Sequence, residues 1–557
     1  MPDIQFDTYY RYDAITSFLQ DWAARYPNLC RLESLGQSFE GRDIWLVTLT
    51  NAASGPDNEK PAYWVDANIH ATEVAPSSAA LYLIHKLLTQ YGQDDKITYA
   101  LDSRVFYVVP RLNPDGAEWA LADRPKFVRS STRPYPRTEE LDGFFQEDVD
   151  GDGRILSMRL KDPNGAWKVH PQEPRLLIPR AADDLPGGDY YRLLPEGQIR
   201  NYDGVTIDFA PPVQGLDLNR NFPVHWSPDQ QGAGPYPTSE PEIRPVVQFI
   251  TDHPNITGAL TFHTFSGVHL RPPTAEPEDK MPTQDLYTYK AMGKKGTELT
   301  GYPAVSVFHD FKYDPKEYIK GTFDDWMYEH LGVYAWTTEI WSVQQQAGIK
   351  DYKFMDWFRD HPVEDDVQIL NWLDETLDGE GYVDWYPFEH PQLGQVELGG
   401  WHTFLTWRNP PYKLLEKEIA PLADFVIYNC LVSPRLELHS VETESHGDLH
   451  KVRLVVHNTG WLPTNITEQA MKMKVVRPLE VDLALPAGAT LITGQAKTQL
   501  GQLKGRDHKG VTTIWGGDPT SERAKVEWVI RAPAGSEITI TASHQRAGTL
   551  RTTVTLG

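Results

Sequence analysis

The feature that most constrains this chain is a change of period near residue 433. Before it, short apolar runs at 44–49, 62–69, 105–109, 259–262, 305–308 and 333–337 alternate with helix-like segments. One of these, 75–91, sets Ala80, Ile84, Leu87 and Tyr91 on a single stripe. After it, apolar runs at 435–441, 451–456, 474–485, 525–531, 537–542 and 549–556 follow one another between Gly, Pro and Asn, with nothing helical expected among them. Buried strands separated by helices predict an α/β fold, a mixed but mostly parallel sheet with helices on both faces. Strands alone predict a C-terminal all-β sandwich. The expected domains are therefore 1–432 and 433–557. Two stretches interrupt the first rhythm and read as insertions, near 130–215 (rich in Pro, Gly, Asp and Arg) and near 344–415 (rich in Trp and Tyr).

Composition narrows the partners. Against 53 Lys+Arg stand 77 Asp+Glu, a formal net charge of −24. Neither nucleic acid nor an anionic membrane is an expected partner, because both need a basic surface. Two cysteines, Cys30 and Cys430, cannot build a disulfide framework or a thiolate zinc site. No basic and apolar leader opens the sequence and no run reaches spanning length, so a cytoplasmic location is expected.

In open α/β sheets functional groups collect at strand ends. Directly after the 62–69 run comes His70-Ala71-Thr72-Glu73, and directly after 259–262 comes His263. Imidazole and carboxylate are good zinc ligands, and a catalytic zinc takes three protein ligands and keeps one open position. A lone His-x-x-Glu is a weak signal, since most such pairs lie on surfaces.

The order of five motifs makes it specific. His70-x-x-Glu73, Asn113-Pro114-Asp115-Gly116, Asp217-Leu218-Asn219-Arg220-Asn221-Phe222, Thr261-Phe262-His263-Thr264-Phe265-Ser266 and Trp336-Thr337-Thr338-Glu339 follow one another along the chain. Over roughly residues 7–430 the chain resembles a zinc metallocarboxypeptidase of the carboxypeptidase A family. The resemblance implies His70, Glu73 and His263 as zinc ligands and Asp217 as the carboxylate that orients a ligating histidine. It implies Glu339 as general base, and Asn219 and Arg220 as the pair that holds the substrate's terminal carboxylate. Arg129 is expected to stabilise the oxyanion, with Arg124 and Arg133 as neighbours in the same basic stretch. Tyr318, with Tyr313 as rival, is expected at the place of the family's mobile tyrosine. Asp324, two before Trp326, falls at the floor of the pocket for the departing side chain, where a carboxylate selects Lys or Arg. The implied substrate is the C-terminus of a peptide or protein. No inhibitory pro-segment precedes the catalytic region, so an active product is expected. The rivals are a murein-peptide hydrolase or a deacylase-type amidohydrolase on the same fold, and an inactive peptidase-like binding protein acting through its sandwich.

One further motif belongs to the first insertion. Asp148, Asp150 and Asp152, with Gly153 and Ile155, follow the spacing of a calcium loop, in which Arg154 would contribute its backbone carbonyl. Position 12 is Arg159 instead of Glu, so closure by Glu147, Asp162 or Asp203 is expected if calcium binds. His85 and His225 read as structural.

Overall fold

Runs that are buried on both sides form the middle of one eight-stranded sheet in the computed structural model, which describes residues 4–312, 316–507, 509 and 517–557. Its strands are β1 (Cys30–Gln37), β2 (Asp43–Leu49), β3 (Ala62–Ala67), β4 (Val105–Val109), β5 (Ile256–Thr264), β6 (Val268–Arg271), β7 (Ala304–Ser306) and β8 (Tyr334–Ile340). They lie in the order β1-β2-β4-β3-β5-β8-β6-β7. The central pairs β4/β3, β3/β5 and β5/β8 are parallel, as is β6/β7; β1/β2, β2/β4 and β6/β8 are antiparallel.

Every residue of β3, β4, β5 and β8 is buried, because alternate side chains feed two cores. Tyr63, Val65, Phe106 and Val108 pack with the helices Tyr12–Arg25, Ala75–Gln90 and Tyr412–Leu431. Trp64, Val105 and Tyr107 pack on the other face with the helix Ile243–Asp252. The expected run 305–308 divides: the strand stops at Ser306, whose hydroxyl accepts the His309 N–H at 3.4 Å and starts a helical turn at Val307.

The two insertions are one body. Strands Ser157–Lys161, Trp167–Val169, Leu177–Pro179 and Tyr190–Pro195 of the first join Tyr382–His390 and Gly394–Trp401 of the second in a six-stranded antiparallel sheet. The seam runs Glu397↔Arg159, Leu398↔Met158 and Gly399↔Ser157. There the Arg159 guanidinium donates to Glu397 at 2.9 Å and lies over the Trp385 ring.

From Leu436 onward two four-stranded antiparallel sheets enclose a core that includes Val452, Leu454, Val481, Trp528, Ile538 and Ile540. The expected 474–485 strand is only Glu480–Ala484, and a short helix Glu468–Met473 intervenes after all, capped by the Thr467 hydroxyl. That helix starts on Asp285 of the first region, whose carboxylate accepts the Glu468 and Gln469 N–H groups at 2.8 and 3.0 Å. Among the described residues no helix is long and apolar enough to cross a membrane.

Candidate metal centre and cleft

The ends of β3 and β5 bring the candidate metal-ligating side chains together. Beyond Ala67 the chain turns at Asn68, which takes the left-handed conformation (φ 60°) that asparagine tolerates. The Asn68 amide donates to the carbonyls of His70 and Glu73 at 2.7 and 2.8 Å, curling the loop so that both side chains face β5. Asn113 steadies the same loop from outside, donating to Ile69 O and Ser130 O at 3.2 and 2.8 Å. Gly116 is needed there, since a Cβ would lie 2.7 Å from that of Ala71 and 2.8 Å from Ser130 O.

His70 Nδ1 lies 2.9 Å from Glu73 Oε1, His263 Nδ1 lies 3.2 Å from Glu73 Oε2, and the two Nδ1 atoms are 3.1 Å apart. Two imidazole nitrogens facing each other beside a carboxylate, all buried, form a donor set that fits a cation. The far side of His70 agrees: its Nε2 is 3.1 Å from Asp217 Oδ1, which assigns the proton to Nε2 and leaves the Nδ1 lone pair facing inward. Burial works to raise the Glu73 carboxyl, but His70 and His263 outweigh it and hold it well below the usual carboxylate range. Asp217 is likewise held low, where burial is outweighed by Arg220, Arg129 and His70.

These groups open into a cavity of about 400 Å³ whose walls include Arg129, Arg220, Phe265 and Glu339. Arg129 donates to Asp217 Oδ2 at 3.0 Å and approaches Glu73 at 3.5 Å. Arg220 donates to Asn219 O at 2.7 Å, and Asn219 Oδ1 accepts the Phe323 N–H at 2.9 Å, which fixes the orientation of its amide. Glu339 is buried, and among the described residues its Oε2 has no hydrogen-bond partner; burial, then repulsion from Glu73, push its carboxyl well above the usual range. A second, smaller cavity shares Arg220 and Glu339 with it and is lined by Asn219 and by Asp324 among Leu270, Val307, Phe311 and Ile319.

Tyr318 is not brought to this cluster. Its exposed ring stands against His225, 6.2 Å between centroids, because the chain around it runs along the surface there; Tyr313 lies outside the described residues. Of the other basic residues of its stretch, Arg133 is committed to Glu240 at 2.7 Å. Two residues that carry no motif also reach the site from the second insertion. Asn409 accepts the Val74 and Ala75 N–H groups at 2.9 and 3.0 Å and donates to Thr72 O, gripping the loop of Glu73. Arg408 lines the larger cavity.

In the 148–155 loop, Asp148 and Asp150 converge with Glu196, not with Asp162 or Asp203. Asp162 is taken by Arg192 at 2.8 Å, and Asp203 by the Val205 and Thr206 N–H groups. Asp152 pairs with the Arg154 side chain. Asp148 accepts the N–H groups of Gly151 and Gly153, Asp150 that of Asp152, and Glu196 those of Val149 and Leu156.

A family described as zinc carboxypeptidase matches residues 15–356, and one described as a domain of unknown function matches 435–555. Carboxypeptidase B of Astacus astacus is 26% identical over 344 residues, 60% of this chain and 86% of that protein. Carboxypeptidase A2 of Mus musculus is 24% identical over 346 residues, 61% of this chain and 64% of that protein. A crystal structure of thrombin activatable fibrinolysis inhibitor aligns at 16% identity and a TM-score of 0.43, covering 76% of this chain and 74% of that one.

Proposed function

This chain belongs to the zinc carboxypeptidase family, whose members hydrolyse peptide bonds, and from that premise we propose that it removes C-terminal residues from peptides one at a time. The observation that carries the proposal is one cavity wall: Arg220 opens onto the same space as His70, Glu73 and Glu339. A carboxylate-binding fork beside a hydrolytic centre selects chain ends, because only a chain end offers the anion.

His70, Glu73 and His263 would hold zinc, with Asp217 orienting His70. Zinc bound there supplies Lewis acidity and lowers the pKa of water toward ~7. Arg220 binds the terminal carboxylate bidentately, and Asn219, its carbonyl oxygen already committed to Phe323 N–H, presents its NH2 edge. Glu339 takes the proton of the attacking water and returns it to the leaving amine. Its burial at the cavity wall beside His70 and Glu73, with one carboxylate oxygen unpartnered among the described residues, supports that role. Arg129, at the cavity edge, stabilises the negative oxygen that develops at the scissile carbonyl. Asp324 sits where the departing side chain enters. Tyr318 has no part in the cleft as it stands, and the reading does not extend to calcium.

A binding protein without activity would not need Glu339, whereas a murein-peptide hydrolase or a deacylase, whose substrates can also end in a free carboxylate, is separated by the choice of substrate. Metal analysis combined with a C-terminal ladder assay on paired free and amidated peptides tests the proposal. One zinc per chain and stepwise shortening of the free peptides alone are expected. Equal cleavage of amidated peptides, or no cleavage by the zinc-loaded protein, overturns it.

A further inference from the structure

Three arginines line the larger cavity, and two of them are engaged. Arg129 meets Asp217 and Glu73, and Arg220 meets Asn219 O and stands 3.6 Å from Asp217. Arg408 differs. Its guanidinium lies over the Phe265 ring, 5.2 Å to the centroid, and among the described residues no hydrogen bond or ion pair engages it. A guanidinium held over an aromatic face is positioned by the ring while its N–H groups stay able to donate to an incoming acceptor.

The mount is firm. Just before Arg408, Thr406 O accepts the Trp341 indole N–H at 2.8 Å; just after it, Asn409 is locked onto residues 72–75. Phe358 packs edge-on against Phe265 at 5.2 Å, so Arg408, Phe265 and Phe358 form one wall. Arg220 lines both cavities, whereas Arg408 lines only the larger one and Asp324 only the smaller. A terminal carboxylate on Arg220 with its side chain toward Asp324 therefore sends the rest of the peptide past Arg408.

Resting on the carboxypeptidase reading, we propose that Arg408 is a specificity-determining residue that pairs with an acidic side chain upstream of the scissile bond. The favoured substrates are then peptides with Asp or Glu shortly before the residue removed. The net charge of −24 offers an acidic peptide no general attraction, so the discrimination is local to this guanidinium.

The test uses zinc-loaded protein and peptides identical except for Glu, Gln or Lys at each of the two positions preceding the C-terminal residue. At one of these positions the wild type is expected to prefer Glu over Gln by about tenfold in kcat/KM, the scale of a charge-assisted hydrogen bond, and to lose part of that ratio as ionic strength rises. Arg408→Gln should bring the ratio to within about twofold of one, and Arg408→Glu should favour Lys over Glu. A Glu/Gln ratio near one in the wild type, a measurement that needs no variant, overturns the proposal. So does a ratio that survives Arg408→Gln. Turnover with a flat ratio sinks this inference alone, whereas absence of any C-terminal trimming sinks the carboxypeptidase reading and this inference with it.

Discussion

His263 and Glu339 are register partners on the parallel neighbours β5 and β8. Residues opposite each other on adjacent strands point to the same face of the sheet. A single ladder therefore sets the spacing between a candidate zinc ligand and the candidate base, and no loop has to be ordered to bring them together. That rigidity suits catalysis, in which a displacement of an ångström is costly.

Glu339→Gln keeps the shape of the side chain and removes its basicity. The variant should retain zinc, measured by metal analysis, while kcat falls by at least ~10²-fold, the lower range for a positioned general base. Turnover within about threefold of the wild type would take Glu339 out of the proton path.

Asp217→Asn addresses the hydrogen bond that fixes the His70 tautomer. Zinc affinity, followed by competition with a chelator, should drop by ~10–100-fold, as is usual when the partner of a ligating histidine is lost. An unchanged affinity would mean that His70 is held by its loop alone.

The strand ends are legible in the sequence because each strand is a short apolar run and each candidate site residue follows it within a few positions: His70 after 62–69, His263 after 259–262, Glu339 after 333–337. Local chemistry is legible too, as in the Asn113 turn, where one side chain bonds the loops on either side of it. Long-range pairing is not. Nothing around Met158 announces Leu398 as its neighbour, so the two insertions read as separate when they share a sheet. For the same reason Arg408 and Asn409 are invisible from sequence: they sit in no motif and reach the site through tertiary packing. The expectation for Tyr318 rests on motif spacing, which is a weak guide in a loop, where no ladder fixes the register.

Arg220→Lys keeps the charge and loses the planar fork. KM for peptides with a free carboxylate should rise by about tenfold, with a smaller change in kcat, since a bidentate pair becomes a point contact. A kcat loss with KM unmoved would place Arg220 in the chemistry and not in binding.

Glu242 supplies a pH dependence of stability remote from the metal. At the start of the helix Ile243–Asp252, one of its oxygens accepts the Phe39 N–H at 2.9 Å, and the other is buried with no hydrogen-bond partner among the described residues. Burial pushes its carboxyl up to about 7, partly offset by the Phe39 N–H, with Asp115 and Glu240 adding repulsion. The folded state thus holds this proton more tightly than the unfolded chain, whose Glu titrates near ~4.3. The stabilisation is complete below that unfolded value and is lost as pH rises through about 7. Glu242→Gln should therefore show a shallower fall in melting temperature between pH ~4 and ~7 than the wild type. Parallel curves would mean that Glu242 ionises in the folded state without cost.

On the proposed reading, Asp324 sets the side-chain preference. Within the Phe323-Asp324-Asp325 turn the two carboxylates divide: Asp325 accepts the Thr274 N–H at 3.0 Å, and Asp324 lines the smaller cavity among Leu270, Val307, Phe311 and Ile319. Burial raises the Asp324 carboxyl, with Thr322 and backbone N–H groups offsetting part of the rise, so ionisation there is costly until a cation arrives. A Lys or Arg end would bring that cation and form a charge-assisted bond, whereas a Phe or Leu end would leave the carboxylate unmatched. Across peptides that differ only in the last residue, Lys- and Arg-ended ones should be cleaved at least ~10-fold faster in kcat/KM. Asp324→Ile should reverse that order, because the apolar walls remain and the anion is gone. Faster cleavage of Phe- or Leu-ended peptides by the wild type would make Asp324 a neutral acid within an apolar pocket, and the preference would then belong to Leu270, Phe311 and Ile319.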